Sequence, residues 1–286
     1  MADIYYIDGK FVPEDEAKIP VNDMAVLRGY GVFDFLRTYE GQPFHLEDHL
    51  KRLEHSAESI GLTLPMPIEK ISDIVAATLK KNGHKESNVR IVVTGGHTDD
   101  FITPSGPPRL LVMVTRLHAY PRRWYENGVK IITIPIERTV PGAKSINYLS
   151  AIMALKKAFE EKAVEALYTD RSGNIREGTT SNFFAFINGK LVTPGTEEIL
   201  PGITRQLILE LAKEDFEIEI KDISLDILPD IREAFISASN KEVVPVVKIN
   251  EQTLGNGKPG EITRRIMAKF FDYTRKWAEE KIGRLQ

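Results

Sequence analysis

The sequence predicts a two-domain protein of the α/β (α+β) class. A small N-terminal α+β domain is expected over residues 1–117, a linker over 118–124, and a larger C-terminal mixed α/β domain with a β core over 125–286. Three observations predict this. Short, β-branched apolar runs are separated by Asp-Gly and Glu-Gly pairs that suit tight turns. Between them lie longer segments with apolar residues every three or four positions, the helical period. The stretch HAYPRRW, residues 118–124, carries a proline and charge but no apolar period.

The elements follow in order. DIYYIDGKFV reads as a hairpin turning at Asp8-Gly9, and VFDFLRTYEGQPFHL repeats the pattern with a turn at Glu40-Gly41. LEDHLKRLEHSAESIGL places Leu46, Leu50, Leu53, Ala57 and Ile60 at helical spacing, with Gly61 as a C-terminal stop. IEKISDIVAATLKKNG is a second helix ending at Asn82-Gly83. VRIVVTGG and RLLVMVTRL are strands joined by the polar loop His97–Pro108. After the linker come the strand VKIITIPI, the helix LSAIMALKKAFEEK, the strands EALYTD and NFFAFING, and the helix ITRQLILELAKED. The strand EAFISAS, a further strand over 243–250 and the terminal helix TRRIMAKFFDYTRKWAEE complete the chain.

Composition excludes several classes. A net charge of -3 with scattered lysines and arginines offers no basic face for nucleic acid. No cysteine occurs, so disulfides, thiolate metal sites and a cysteine nucleophile are ruled out together, and no metal site is expected. No apolar stretch approaches the roughly 20 residues of a membrane span. MADIYYIDGKFVPEDEAKIP lacks the basic and apolar regions of a signal peptide, so a cytoplasmic enzyme is expected.

Three segments carry the chemistry. AKSINYLS, 143–150, sets Lys144 just after Pro141-Gly142-Ala143 and before a helix that starts near Tyr148. A lysine in a partly apolar site loses ammonium solvation, which favours the free amine a Schiff base requires. IREGTTSNFF, 175–184, sets Glu177 at a strand-to-turn junction, where a carboxylate could keep a ring nitrogen protonated. LPGITR, 200–205, opens a helix whose first N–H groups suit a phosphate. Taken singly, each has an ordinary alternative: a surface lysine, a solvated strand-end glutamate, a threonine N-cap.

The order Lys-x-x-Asn-Tyr-Leu, then Glu-Gly-x-x-Ser-Asn-Phe-Phe, then Leu-Pro-Gly-Ile-Thr-Arg resembles the fold-type IV pyridoxal phosphate enzymes across nearly the whole chain. Gly-Tyr-Gly-Val-Phe-Asp at 29–34 and Glu-Asp-His-Leu-Lys-Arg-Leu at 47–53 are similar to that family's N-terminal signatures. The resemblance implies a pyridoxal 5'-phosphate cofactor bound as a Schiff base to Lys144, with Glu177 on the pyridine nitrogen and Leu200 against the ring. It puts Ile203, Thr204, Arg52 and Ser239 at the phosphate and Tyr148 beside the cofactor. For Arg52 the ordinary alternative is an exposed helix arginine. The resemblance also implies amino acid and 2-oxo acid substrates and a homodimer.

Substrate choice is a separate reading. D-amino acid aminotransferases of the family resemble one another in an Arg-x-His carboxylate trap, but here the matching loop reads GGHTDDFITPSG, with no arginine and two aspartates. Cations stand elsewhere: Arg28 before the Gly-Tyr-Gly turn and its Tyr30, Arg90 within an apolar strand, and Lys241 in the SNKE loop. Arg90 would share a face with Val92 and Thr94, and arginine can bind both oxygens of a carboxylate. These residues resemble an alternative trap, as in atypical D-amino acid transaminases, while ordinary ion-pair duty stays open for each. The expected activity is therefore a D-amino acid transaminase, with an L-branched-chain aminotransferase as the alternative. An (R)-amine transaminase, a lyase and a non-enzymatic binding protein stand further off.

Overall fold

The hairpin expected at Asp8-Gly9 is formed by β1 (Ile4–Ile7) and β2 (Lys10–Pro13). A short helix absent from the sequence reading, α1 (Met24–Arg28), follows, capped by the Asp23 carboxylate accepting from Ala25 N–H at 2.8 Å. Then come β3 (Gly31–Tyr39), β4 (Gln42–Pro43), α2 (Leu46–Ser59), α3 (Ile68–Asn82), β5 (Ser87–Thr94) and β6 (Arg109–Arg116). This computed structural model describes residues 2–283. The strands form an antiparallel sheet in the order β2-β1-β6-β5-β3-β4. Alternation decides its faces. Val89, Ile91 and Val93 of β5 are fully buried in one core with Leu50, Leu53 and Ala57 of α2 and Ile71 and Val75 of α3. Arg90 lies on the other face and is exposed.

The second part of the chain contains α4 (Arg122–Asn127), β7 (Val129–Pro135), α5 (Leu149–Glu160), β8 (Ala166–Thr169), β9 (Asn174–Gly178), β10 (Asn182–Ile187), β11 (Lys190–Thr193) and α6 (Ile203–Ala212). It continues with β12 (Ile218–Ile220), β13 (Ile223–Ser224), β14 (Glu233–Ala238), β15 (Glu242–Ile249), β16 (Gln252–Thr253) and α7 (Glu261–Gly283). Its sheet runs β12-β11-β10-β14-β15-β7-β8-β9-β13, with β16 beside β15. β7 and β8 are parallel, so the chain needs a long crossover between them, and α5 supplies it. The core of this sheet includes Ile131, Leu167, Phe183, Ile236 and Val244.

The chain divides into two compact units. One takes residues 2–118, the segment Ala143–Asn147 and residues 278–283; the other takes Ala119–Gly142 and Tyr148–Trp277. Two features depart from the expected boundaries. The linker expected over 118–124 runs into α4, because Pro121 begins a helix there. Ala143–Asn147, expected in the C-terminal domain, belongs to the first unit because it pairs with an edge of β3: Phe33 N–H donates to Lys144 O at 2.9 Å and Ile146 N–H to Gly31 O at 3.0 Å. A Cβ on Gly31 would stand 2.6 Å from Val93 O and 3.0 Å from Ile146 Cδ1, so glycine is what lets β3 lie this close to the β5 backbone, with Ile146 of the segment against it.

Candidate active site

In the first unit the backbone of Lys144 is fixed twice. Its carbonyl accepts from Phe33, and its N–H donates to Ser56 Oγ of α2 at 3.1 Å. The expectation of a lysine pinned by the preceding turn is thereby refined, since strand-edge pairing and a helix hydroxyl hold it. Its Nζ lies 4.7 Å from the centroid of the Phe33 ring. The guanidinium of Arg90 lies 4.8 Å from that same centroid and 5.3 Å from that of Phe35. Arg90 does share the outward face of β5 with Val92, and one aromatic ring therefore collects the lysine and an arginine.

Arg52 is nearly buried and binds Asp34 with both arms of its fork: Nε to Oδ2 at 2.9 Å and Nη2 to Oδ1 at 2.8 Å. It is thus not the exposed helix arginine of the ordinary reading. Asp34 is fully buried, and it also accepts from Phe35 N–H at 2.7 Å and meets His49 Nδ1 at 2.6 Å. Burial alone would raise its carboxyl, but Arg52 and His49 outweigh that and hold it well below the usual range. Burial lowers His49, with the Arg52 and Lys144 charges adding to the effect against Asp34. Sequence reasoning missed Asp34 and His49.

The remaining first-unit candidates have local partners. Arg28 is exposed, and its Nη1 donates to Leu27 O at 2.8 Å. Tyr30 donates from its hydroxyl to Ile60 O at 3.0 Å. The loop after β5 is organised by its own acids. Asp100 accepts from Ile102 N–H at 2.8 Å and Thr103 N–H at 2.6 Å, and those bonds pull its carboxyl far down. His97 Nε2 meets Asp99 at 2.8 Å.

In the second unit Glu177 is the next-to-last residue of β9 and is buried. Its Oε1 accepts from Arg138 Nη1 at 2.6 Å and its Oε2 from Leu200 N–H at 3.1 Å. Arg138 also donates to Pro141 O at 2.7 Å. It was missed because its segment, ERTVPG, has no periodicity to mark it. Asn182 Nδ2 donates to Leu200 O at 3.0 Å, so Leu200 is held from both ends of its peptide. Gly202 is the N-cap of α6, with no side chain capping the helix; a Cβ there would overlap Asn182 Oδ1. Ile203 and Thr204 are the first helical residues, and Gln206 N–H is the first to bond back, to Gly202 O at 2.9 Å. Arg205 is buried against Pro194 O and Thr193 and is structural.

Tyr148 occupies the N-cap position of α5, and Ser239 lies half-buried in the turn between β14 and β15. Lys241 corrects an expectation. Rather than offering a cation to substrate, it is buried with its Nζ 2.6 Å from Glu165 Oε2. Arg176 pairs with Asp170, Glu198 and Asp222, on the side of β9 away from Glu177. Among the described residues no group of three or more metal-ligating acids or histidines is placed to hold an ion, and no helix is long and apolar enough to cross a membrane.

These donor sets fit pyridoxal 5'-phosphate. A helix head with side-chain-free amides suits the phosphate, and a buried carboxylate held by two donors suits the pyridine nitrogen. A lysine with a rigid backbone suits the aldehyde.

Residues 31–249 match the family described as amino-transferase class IV. A Methanocaldococcus jannaschii protein provisionally named a branched-chain-amino-acid aminotransferase is 36% identical over 95% of this chain and 96% of its own length. The D-alanine aminotransferase of Staphylococcus haemolyticus is 31% identical over 94% of this chain and 96% of its own. Among solved structures, the T.th. branched-chain amino acid aminotransferase with pyridoxamine 5'-phosphate aligns with a TM-score of 0.89 and 27% identity, covering 96% of this chain and 94% of that one. The chain with its held lysine, buried glutamate and open helix head belongs to the class IV aminotransferases and is a pyridoxal 5'-phosphate enzyme.

Proposed function

We propose that this aminotransferase exchanges amino groups between D-amino acids and 2-oxo acids. The observation that carries the reading is the pair of cations around Phe33, with Arg90 at 4.8 Å and Lys144 at 4.7 Å from one ring centroid. An arginine fork that shares an aromatic ring with the reacting amine is a natural partner for a substrate α-carboxylate. The loop after β5, where a trap would otherwise lie, presents acids. Similarity to enzymes named D-alanine aminotransferase supports the same choice.

When bound, the cofactor supplies the electron sink for the pair left at the substrate Cα. Lys144 Nζ would be the amine that holds the cofactor and, once free, the base that moves the proton at the substrate Cα. Glu177 keeps the pyridine nitrogen protonated, with Arg138 and Leu200 N–H orienting the carboxylate. Leu200 would pack on the ring. The Ile203 and Thr204 amides, the Thr204 and Ser239 hydroxyls and Arg52 would hold the phosphate, with Tyr148 beside the ring. Arg28 and Tyr30 complete the substrate's surroundings. Two half-reactions on one cofactor give ping-pong kinetics. We place the enzyme in the cytoplasm as a homodimer.

An L-branched-chain aminotransferase is the second reading, favoured by Tyr148 at the head of α5 and by the M. jannaschii relative. Initial rates with D- and L-glutamate, alanine and leucine against a common 2-oxo acid decide between them. Transfer from D-alanine or D-glutamate is expected. Transfer from L-leucine with neither D-substrate accepted would overturn the first reading.

A further inference from the structure

Glu165 immediately precedes β8 and has 0% of its surface exposed. A buried carboxylate is costly unless donors surround it, and here they come from three directions. Oε1 accepts from the Thr179 hydroxyl and from Ala166 N–H at 3.2 Å. Oε2 accepts from Thr180 at 2.8 Å, Ser181 at 3.1 Å and Lys241 Nζ at 2.6 Å. Lys241 also donates to Thr180 Oγ1 at 2.5 Å. Burial alone would raise the Glu165 carboxyl; Lys241 and the threonine hydroxyls outweigh it and leave the group ionised, below its usual range.

Two turns meet at this carboxylate. The first, Gly178–Ser181, follows Glu177 directly and leads into Asn182, which holds Leu200, which in turn donates to Glu177. The fit is tight: a Cβ on Gly178 would overlap Ser181 Oγ and stand 3.2 Å from Glu165 Cγ. The second turn, between β14 and β15, carries Ser239 and Lys241. It is fastened on its far side by the Tyr125 hydroxyl, which donates to Lys241 O at 3.1 Å, and by Asn240 Nδ2, which donates to Tyr120 Oη at 3.0 Å. A buried ion pair adds little net stability over an apolar pair of the same size, but it demands one geometry.

We infer that Glu165 is a positioning residue: one buried carboxylate sets the turn behind Glu177 and, through Lys241, the turn that carries Ser239. The inference rests on the assignment of Glu177 and Ser239 to the cofactor. Glu165 and Lys241 touch neither cofactor nor substrate in this role. They fix the segments that do.

The test uses the full-length chain with cofactor removed and added back. Glu165→Gln, Lys241→Met, the double variant and Thr180→Val are compared with Glu177→Gln. Three readouts are taken: pyridoxal 5'-phosphate affinity, the position of the bound visible band across pH, and melting of the cofactor-free protein. Glu165→Gln should weaken affinity about tenfold or more and displace the band, as loss of an outer-shell orienting group does. The double variant leaves no unpaired charge and should melt near wild type while keeping weak affinity and a displaced band. A double variant with wild-type affinity and band would overturn the inference, as would an unchanged Thr180→Val if the double variant does not fold. Should Glu177→Gln leave affinity, band and turnover unaltered, the underlying assignment fails instead. A displaced Glu177→Gln beside an unchanged double variant isolates the failure to Glu165.

Discussion

Replacing Asp34 by asparagine tests the cluster that holds Arg52. The Asp34 carboxylate accepts four hydrogen bonds, from Phe35 N–H, His49 and both arms of Arg52, at 2.6 to 2.9 Å. Asparagine keeps the shape but turns one acceptor into a donor facing donors, and it leaves the Arg52 charge nearly buried without its counter-ion. Removing one partner of a buried pair costs about 3–5 kcal/mol. The retained carbonyl can still take one arm of the fork, so a loss near the lower limit is expected. For a protein of this size that is a fall of about 6 °C or more in melting temperature. Differential scanning calorimetry on the cofactor-free chain measures it. The pH signature is separate. Because the folded Asp34 is held below its unfolded value of about 3.9, its stabilisation is fully present above that pH and is lost as pH falls towards the folded value. The wild type's advantage should therefore be flat from neutrality down to about pH 5 and shrink below. A variant melting with the wild type at neutral pH would refute the argument that this cluster is a desolvated ion pair.

Four further outcomes follow. Lys144→Ala should abolish turnover and the visible band of bound cofactor, which absorption spectroscopy reports directly. Arg90→Leu should raise KM for amino acid substrates about 10- to 100-fold, the worth of a charged hydrogen bond, with kcat changed less; its exposed position predicts an unaltered melt. Gly202→Ala should cost about 1–3 kcal/mol and weaken cofactor affinity, since its Cβ displaces Asn182 from Leu200, and urea unfolding with a cofactor titration checks both. His49→Gln should flatten the fall of wild-type stability between neutrality and about pH 5. Burial keeps folded His49 neutral where the unfolded residue, with a value of about 6.5, takes a proton.

The parts of the fold that were legible in the sequence are those whose period is long enough to declare itself. α2, α3 and α7 each bury a repeating stripe, and β5 and β6 alternate over eight residues. β11, β12 and β13 escaped because two to four residues cannot show alternation, and they become strands through the neighbours they pair with. α1 was legible in principle, since Asp23 sits where an N-cap belongs, but five residues leave no stripe.

The site divides along the same physical line. Lys144, Glu177 and the helix head at Gly202 stand out in the sequence because local chain geometry marks them: a strand edge, a strand end, a first turn with no side-chain cap. Arg138, Asp34 and Glu165 act at long separation, with Arg138 and Glu177 39 positions apart and Glu165 and Lys241 76 apart, so no spacing rule exposes them. One signal was available. Asp34 falls inside the apolar run VFDFL and Glu165 opens the apolar run EALY, and an acid placed where the strand turns inward must have found a cation. The same reasoning that picked out Arg90 as a charge within a strand therefore needed applying to the acids. Applied to Lys241 it would have asked which acid could keep it buried, and Glu165 sits at the start of an inward strand as the candidate. A buried cation near a cofactor segment is thus ambiguous until its counter-ion is named. Arg90, exposed on the outer face of β5 and set over the same Phe33 ring as Lys144, stays within the proposed trap.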